Sequence, residues 1–142
     1  MKRFTIKVNS GLDGDYKILF RRCESIEQLM RREWKSKDIS GCTIGGYDAS
    51  GEEFEMPIEQ VVEAVRAQGC SAFCDVENRV VHYWIGDASP EDVIEMLGHE
   101  IGHIAEKFQG PAEEVKKMLG DEVAAMRYGE VARAAYEAWR RA

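Results

Sequence analysis

The chain has 142 residues, 44% of them hydrophobic, and a formal net charge of −7. That apolar share builds a real core and excludes a disordered chain, and the length suits a single domain over residues 1–142. The acidic balance argues against nucleic-acid binding through phosphates, and no stretch approaches membrane-spanning length.

The N-terminus reads Met1-Lys2-Arg3 followed by an interrupted apolar run, too short for a signal peptide. The expectation is a soluble cytoplasmic protein with no membrane partner. The basic pairs Arg21-Arg22, Arg31-Arg32, Lys116-Lys117 and Arg140-Arg141 read as solvated faces. Cys23, Cys42, Cys70 and Cys74 are expected as buried or half-buried thiols on strands, since C-x-x-x-C with no second pair is a poor metal or disulfide framework.

In chain order, residues 3–9 alternate as a strand does, and residues 16–22 form a second strand candidate beyond the loop at 9–15. Ser25 with Gln28 makes a capping box that opens a helix to about Lys35. Residues 43–47 and 52–56 read as a hairpin around Asp48-Ala49-Ser50-Gly51. Pro57 is placed as the first residue of a helix that Gly69 ends. Residues 71–75 and 79–85 form another strand pair with Glu77-Asn78 at the turn. Ser89, Pro90 and Asp92 then start a helix running to about Phe108, which Gly110-Pro111 breaks. A short helix over 111–119 and a last helix from Asp121 complete the chain. The class is α+β: strand pairs with interspersed helices over 1–88, forming an antiparallel or mixed sheet, then a helical part over 89–142.

The segment His99-Glu100-Ile101-Gly102-His103 carries the chemistry. Histidines four apart lie on one helix face, where two neutral imidazoles can bind one zinc ion. Glu100 beside the first of them is a carboxylate base for a water held by the metal. Val93, Leu97, Ile101, Ile104 and Phe108 recur at helical spacing and supply a buried stripe. Gly98 and Gly102 each cost the helix about 1 kcal/mol relative to alanine, a cost that a close backbone approach at Gly102 would justify.

A catalytic zinc takes three protein ligands and keeps a position open. Gln109 stands where a metzincin would place its third histidine, and Glu106 where it would place glycine. That leaves a carboxylate of the last helix. Glu122 is the first candidate, with small residues Ala124, Ala125 and Gly129 nearby for close packing; Asp121 and Glu130 are alternatives. As donors for the oxyanion of a tetrahedral intermediate, Tyr128, Tyr136 and His82 have suitable chemistry. Trp34, Trp84 and Trp139 read as packing anchors.

H-E-x-G-H followed by Glu122-Val123-Ala124-Ala125-Met126-Arg127-Tyr128-Gly129 resembles the ImmA/IrrE-like gluzincins over about residues 90–130. Met126 departs from the pattern, since members of that family often carry Asn or Asp there. The resemblance implies a minimal zincin-like fold and a zinc-dependent endopeptidase acting on a protein or peptide, often a regulatory protein. In zincins generally a strand beside the site pairs with extended substrate. If residues 79–85 do so, His82 or Tyr83 faces the cleft. The competing reading keeps the metal-binding scaffold without hydrolysis, as a regulatory or interaction module.

Overall fold

The computed structural model describes residues 3–11, 14–108 and 121–141, the side chains of 9–11, 106 and 121–130 excepted. Its elements are β1 (Arg3–Gly11), β2 (Gly14–Arg22), α1 (Ile26–Glu33), β3 (Thr43–Tyr47), β4 (Glu53–Pro57), α2 (Ile58–Gln68), β5 (Cys70–Asp75), β6 (Val80–Ile85), α3 (Pro90–Phe108) and α4 (Asp121–Arg141). The expected short helix over 111–119 lies outside the described residues.

The class is α+β with a mixed sheet. Its four strands stand in the order β1-β2-β6-β5, and β3-β4 forms a separate hairpin. β1 with β2 and β5 with β6 are antiparallel neighbours in sequence. β2 and β6 join the two pairs in parallel, with Leu19 opposite Val80 and Arg22 opposite Tyr83.

Strand alternation divides the apolar residues between two faces. On one face Ile6, Val8, Ile18, Phe20, Val81 and Tyr83 are buried beneath Val93, Leu97, Ile101 and Ile104 of α3 and Val131 and Ala135 of α4. The helical stripe of α3 is thus its buried side, each such residue contributing about 1.5–3 kcal/mol by leaving water. On the other face Ile26 and Met30 of α1, Ile39, and Ile58 and Val62 of α2 form a second cluster, against which Trp84 packs.

Local signals account for most boundaries. The Ser25 side chain accepts from the Gln28 N–H at 3.1 Å, and the side-chain Oε1 of Gln28 accepts from the Glu24 N–H at 2.8 Å, so the box closes one residue upstream of the N-cap. The helix ends at Glu33, two residues before the expected Lys35, which has φ 52°. Pro57 ends β4 and stands at the N-cap of α2, not its first turn: its ψ of 146° is extended. Gly69 closes α2 at φ 83°, its N–H reaching the carbonyls of Val65 and Arg66. In the β5–β6 turn it is Arg79, not Glu77 or Asn78, that takes positive φ, at 55°. The Asp75 carboxylate organises this turn, accepting from the Asn78 N–H at 3.2 Å and its side-chain amide at 2.7 Å.

All four cysteines are free thiols. Cys23 and Cys70 are buried, but Cys23 lies one residue past β2 and Cys42 is exposed and lies before β3, which corrects the expectation of strand positions for both and of burial for Cys42. Among the described residues no helix is long and apolar enough to cross a membrane.

Candidate metal centre

The motif lies on α3 and begins at its middle residue, His99. The buried stripe fixes the rotation of this helix, and that rotation fixes the motif: Ile101 and Ile104 are buried, and His99 and His103 are exposed. Glu100 falls between the two sides and is only 8% exposed.

The two imidazoles converge. Nε2 of His99 and Nε2 of His103 are 3.2 Å apart, and the rings stand perpendicular with centroids at 4.7 Å. Two bonds of about 2.05 Å from nitrogen to a tetrahedral zinc hold their nitrogens about 3.3 Å apart, so the pair already has the bite of one ion. The same distance lets one neutral ring donate to the other in the metal-free chain. The donor set therefore fits zinc as far as two ligands.

Of the third-ligand candidates, Glu122 and Asp121 lie in the first turn of α4 and Glu130 lies further along it. Their side chains, and that of Tyr128, lie outside the described residues. α4 packs beside α3 through Val131 and Ala135. Among the described residues no group of three His, Cys, Asp or Glu side chains surrounds a common point. A methyl group at Gly98 or Gly102 would meet no described atom within 4 Å, so the expected close approach at Gly102 is not found among them.

His99 and Glu100 open onto a cleft of about 540 Å3 between α3 and β5. Cys70, Ser71 and Ala72 of β5 line one wall, and Glu95 and Met96 extend the α3 wall. β5 is an edge strand: β6 occupies one side, and no described strand pairs with the other. Cys70, Ala72 and Cys74 are register partners of Ile85, Tyr83 and Val81, which places all three on the α3 side of the sheet.

Glu100 faces Cys74. Burial first, and then the Glu100 carboxylate as hydrogen-bond partner and charge, pushes that thiol up to about 12. Desolvation followed by the charge of Glu100 also raises the Glu33 carboxyl. Spacing within the motif did not announce Cys74 or Glu33. The alternation Cys70-Ser71-Ala72-Phe73-Cys74 did hold the signal for Cys74, since it puts both cysteines on one face.

The condition set for residues 79–85, pairing with an extended substrate, is not met. Residues 79–85 are not a free strand, because β6 is hydrogen-bonded on both sides, to β2 and to β5. Neither His82 nor Tyr83 faces the cleft. Tyr83 is fully buried in the α3-side core, and His82 points to the opposite face, where its ring stacks on Phe73 at 4.7 Å. Tyr136 is half-buried, with its ring 5.6 Å from that of Trp139. Trp139 packs against the α3-side core and Trp84 against the second cluster, while Trp34 is 37% exposed.

Comparison of the chain with protein-family models, with curated proteins and with solved structures gives no match.

Proposed function

We propose that this chain is a zinc-dependent metallopeptidase of the gluzincin type on a minimal zincin-like fold. His99, His103 and Glu122 would hold the ion, and Glu100 would be the general base. What carries the reading is the pair of imidazole nitrogens 3.2 Å apart, on the same helix as a buried carboxylate, at a cleft walled by an edge strand.

Bound zinc would supply Lewis acidity, polarising the scissile carbonyl and acidifying water. The rest is work for the protein's own groups. Burial keeps Glu100 in a low-dielectric wall, where a carboxylate takes a proton from water and returns it to the leaving amine. The free edge of β5 offers backbone N–H and C=O groups to an extended peptide, so the substrate strand would be held by β5 and not by β6. The acidic Glu95 and apolar Met96 and Ala72 would meet its side chains.

The test is metal content of protein purified without chelator or nickel resin. The expected result is about one zinc per wild-type chain, none in His103→Ala and weakened retention in Glu122→Ala. A wild-type chain that takes up no zinc on addition would overturn the reading. A zinc-loaded chain that hydrolyses no peptide in a diverse library would turn it to a partner-binding module.

A further inference from the structure

The sheet face turned away from the cleft carries a row of cations. Cross-strand register aligns Arg3 of β1 with Arg21 of β2, and Arg21 with His82 of β6. Phe20, Val81 and Tyr83 belong to the α3-side core, so alternation turns Arg21 and His82 to the α1 side, and Arg3 with them. Phe73 completes the row on β5, stacked on the His82 ring. Arg32 reaches the same place from α1, its Nη1 donating to Sγ of Cys23 at 3.2 Å.

Three observations mark Arg3, Arg21 and His82 within this cluster as unfinished. His82 is 9% exposed, and its Nδ1 has no hydrogen-bond partner; nor has the buried Nε of Arg21. Neither Arg3 nor Arg21 is in an ion pair among the described residues, although acidic residues outnumber basic ones in this chain by 26 to 19. The guanidiniums also oppose one another. After burial, Arg32 and Arg3 lower the pKa of Arg21, and Arg32 and Arg21 lower that of His82; Asp75 is the acid that acts on His82 in the other sense. Like charges gathered in partial burial are costly unless a counter-charge joins them.

We infer that Arg3, Arg21 and Arg32, with His82 between them, form a binding site for a phosphate-class oxyanion. Guanidinium forks carried by three separate elements, β1, β2 and α1, would approach an anion seated on this row from different directions. A tetrahedral dianion presents oxygens in all those directions, whereas a flat carboxylate presents two. A neutral imidazole held against Phe73 contributes an N–H without adding to the repulsion. The anion would supply the acceptors that Arg21 Nε and His82 Nδ1 lack. This inference does not rest on the metal centre, which lies on the other face of the sheet.

Inorganic phosphate is the probe, titrated into the full chain in phosphate-free buffer, with chloride adjusted to constant ionic strength. The thermal midpoint of the wild type should rise saturably, and the His82 ring proton resonances should move with the same half-saturation. Arg21→Gln and Arg3→Gln should each raise the half-saturating concentration at least about tenfold, as loss of a charge-assisted fork does. Arg3 is exposed on an edge strand, so its variant remains informative if Arg21→Gln folds poorly. A phosphoserine peptide run beside free phosphate identifies the source: tighter binding points to a phosphorylated chain, equal binding to the free ion. The inference is overturned by an equal response in wild type and both variants, by acetate matching phosphate, or by no saturable response to either probe.

Discussion

Replacing His82 with phenylalanine should remove an acid sensitivity from the fold. The ring is 9% exposed, and burial, then Arg32 and Arg21, lower its pKa from 6.5 to about 4, against a smaller opposing effect of Asp75. The unfolded chain therefore takes up a proton near pH 6.5 that the folded chain refuses until about pH 4. Between those values the unfolded state binds more protons, so stability is fully present above 6.5 and falls as pH falls. The slope reaches about 1.4 kcal/mol per pH unit, and the whole loss is about 3 kcal/mol, nearer 2 if solvent relaxes around the ring. Phenylalanine keeps a flat ring against Phe73 and cannot titrate. Urea unfolding followed by tryptophan fluorescence between about pH 7 and pH 4.5, in phosphate-free buffer, gives the two stability curves. Asp38, Asp48 and Asp75, whose hydrogen bonds lower their pKa values, titrate in both proteins and largely cancel in the difference. The wild-type curve should fall away from that of the variant as pH drops. Parallel curves would show that His82 takes its proton as freely as in the unfolded chain, and the burial argument would be wrong.

Gly69→Ala should cost about 2–4 kcal/mol, because φ is 83° and the new methyl would sit 2.9 Å from Ala88 N and 3.1 Å from its Cα; urea unfolding measures it, and a neutral result would mean that the α2–β5 corner is looser than described. Among the thiols, Cys42 should react rapidly with a disulfide reagent at neutral pH, with Cys23 and Cys70 waiting for unfolding and Cys74, at about 12, remaining slow. Two or more fast thiols in the folded protein would contradict that burial pattern. Glu100→Gln should keep the zinc stoichiometry of the wild type while peptide hydrolysis falls about 10²–10⁴-fold; a zinc-loaded variant with undiminished turnover would remove Glu100 from the role of base.

Most elements were legible because each carries its own local signal. Ser25 with Gln28, Gly69 after α2, and the stripe from Val93 to Ile104 name a helix start, a helix end and a buried face without reference to the rest of the chain. The strand neighbours were not legible. Nothing within 79–85 says that β2 will lie on one side and β5 on the other, since backbone pairing is set by how distant segments close around a shared core. The condition on which His82 or Tyr83 would face the cleft fails for that reason: an inner strand has no free edge to offer. At the candidate site, helical spacing was enough to bring His99 and His103 together, whereas the contact of Glu100 with Cys74 depends on the seating of α3 against β5. The basic pairs Arg21-Arg22 and Arg31-Arg32 read as solvated faces, yet register and helix packing bring Arg21 and Arg32 to the same cluster.

The parallel joint between β2 and β6 also bears on the order of folding. Each hairpin of the sheet can close on its own, since its strands are separated by a short turn. Their union must wait until the whole stretch from Cys23 to Gly69, with α1, the β3–β4 hairpin and α2, has been looped out and compacted. That closure loses chain entropy before the sheet gains anything from it, so this joint should set the refolding rate. Until it forms, the edge of β6 that will meet β2 stays open. A nascent chain would therefore be most exposed to pairing with a neighbour in the interval between making its two hairpins and joining them.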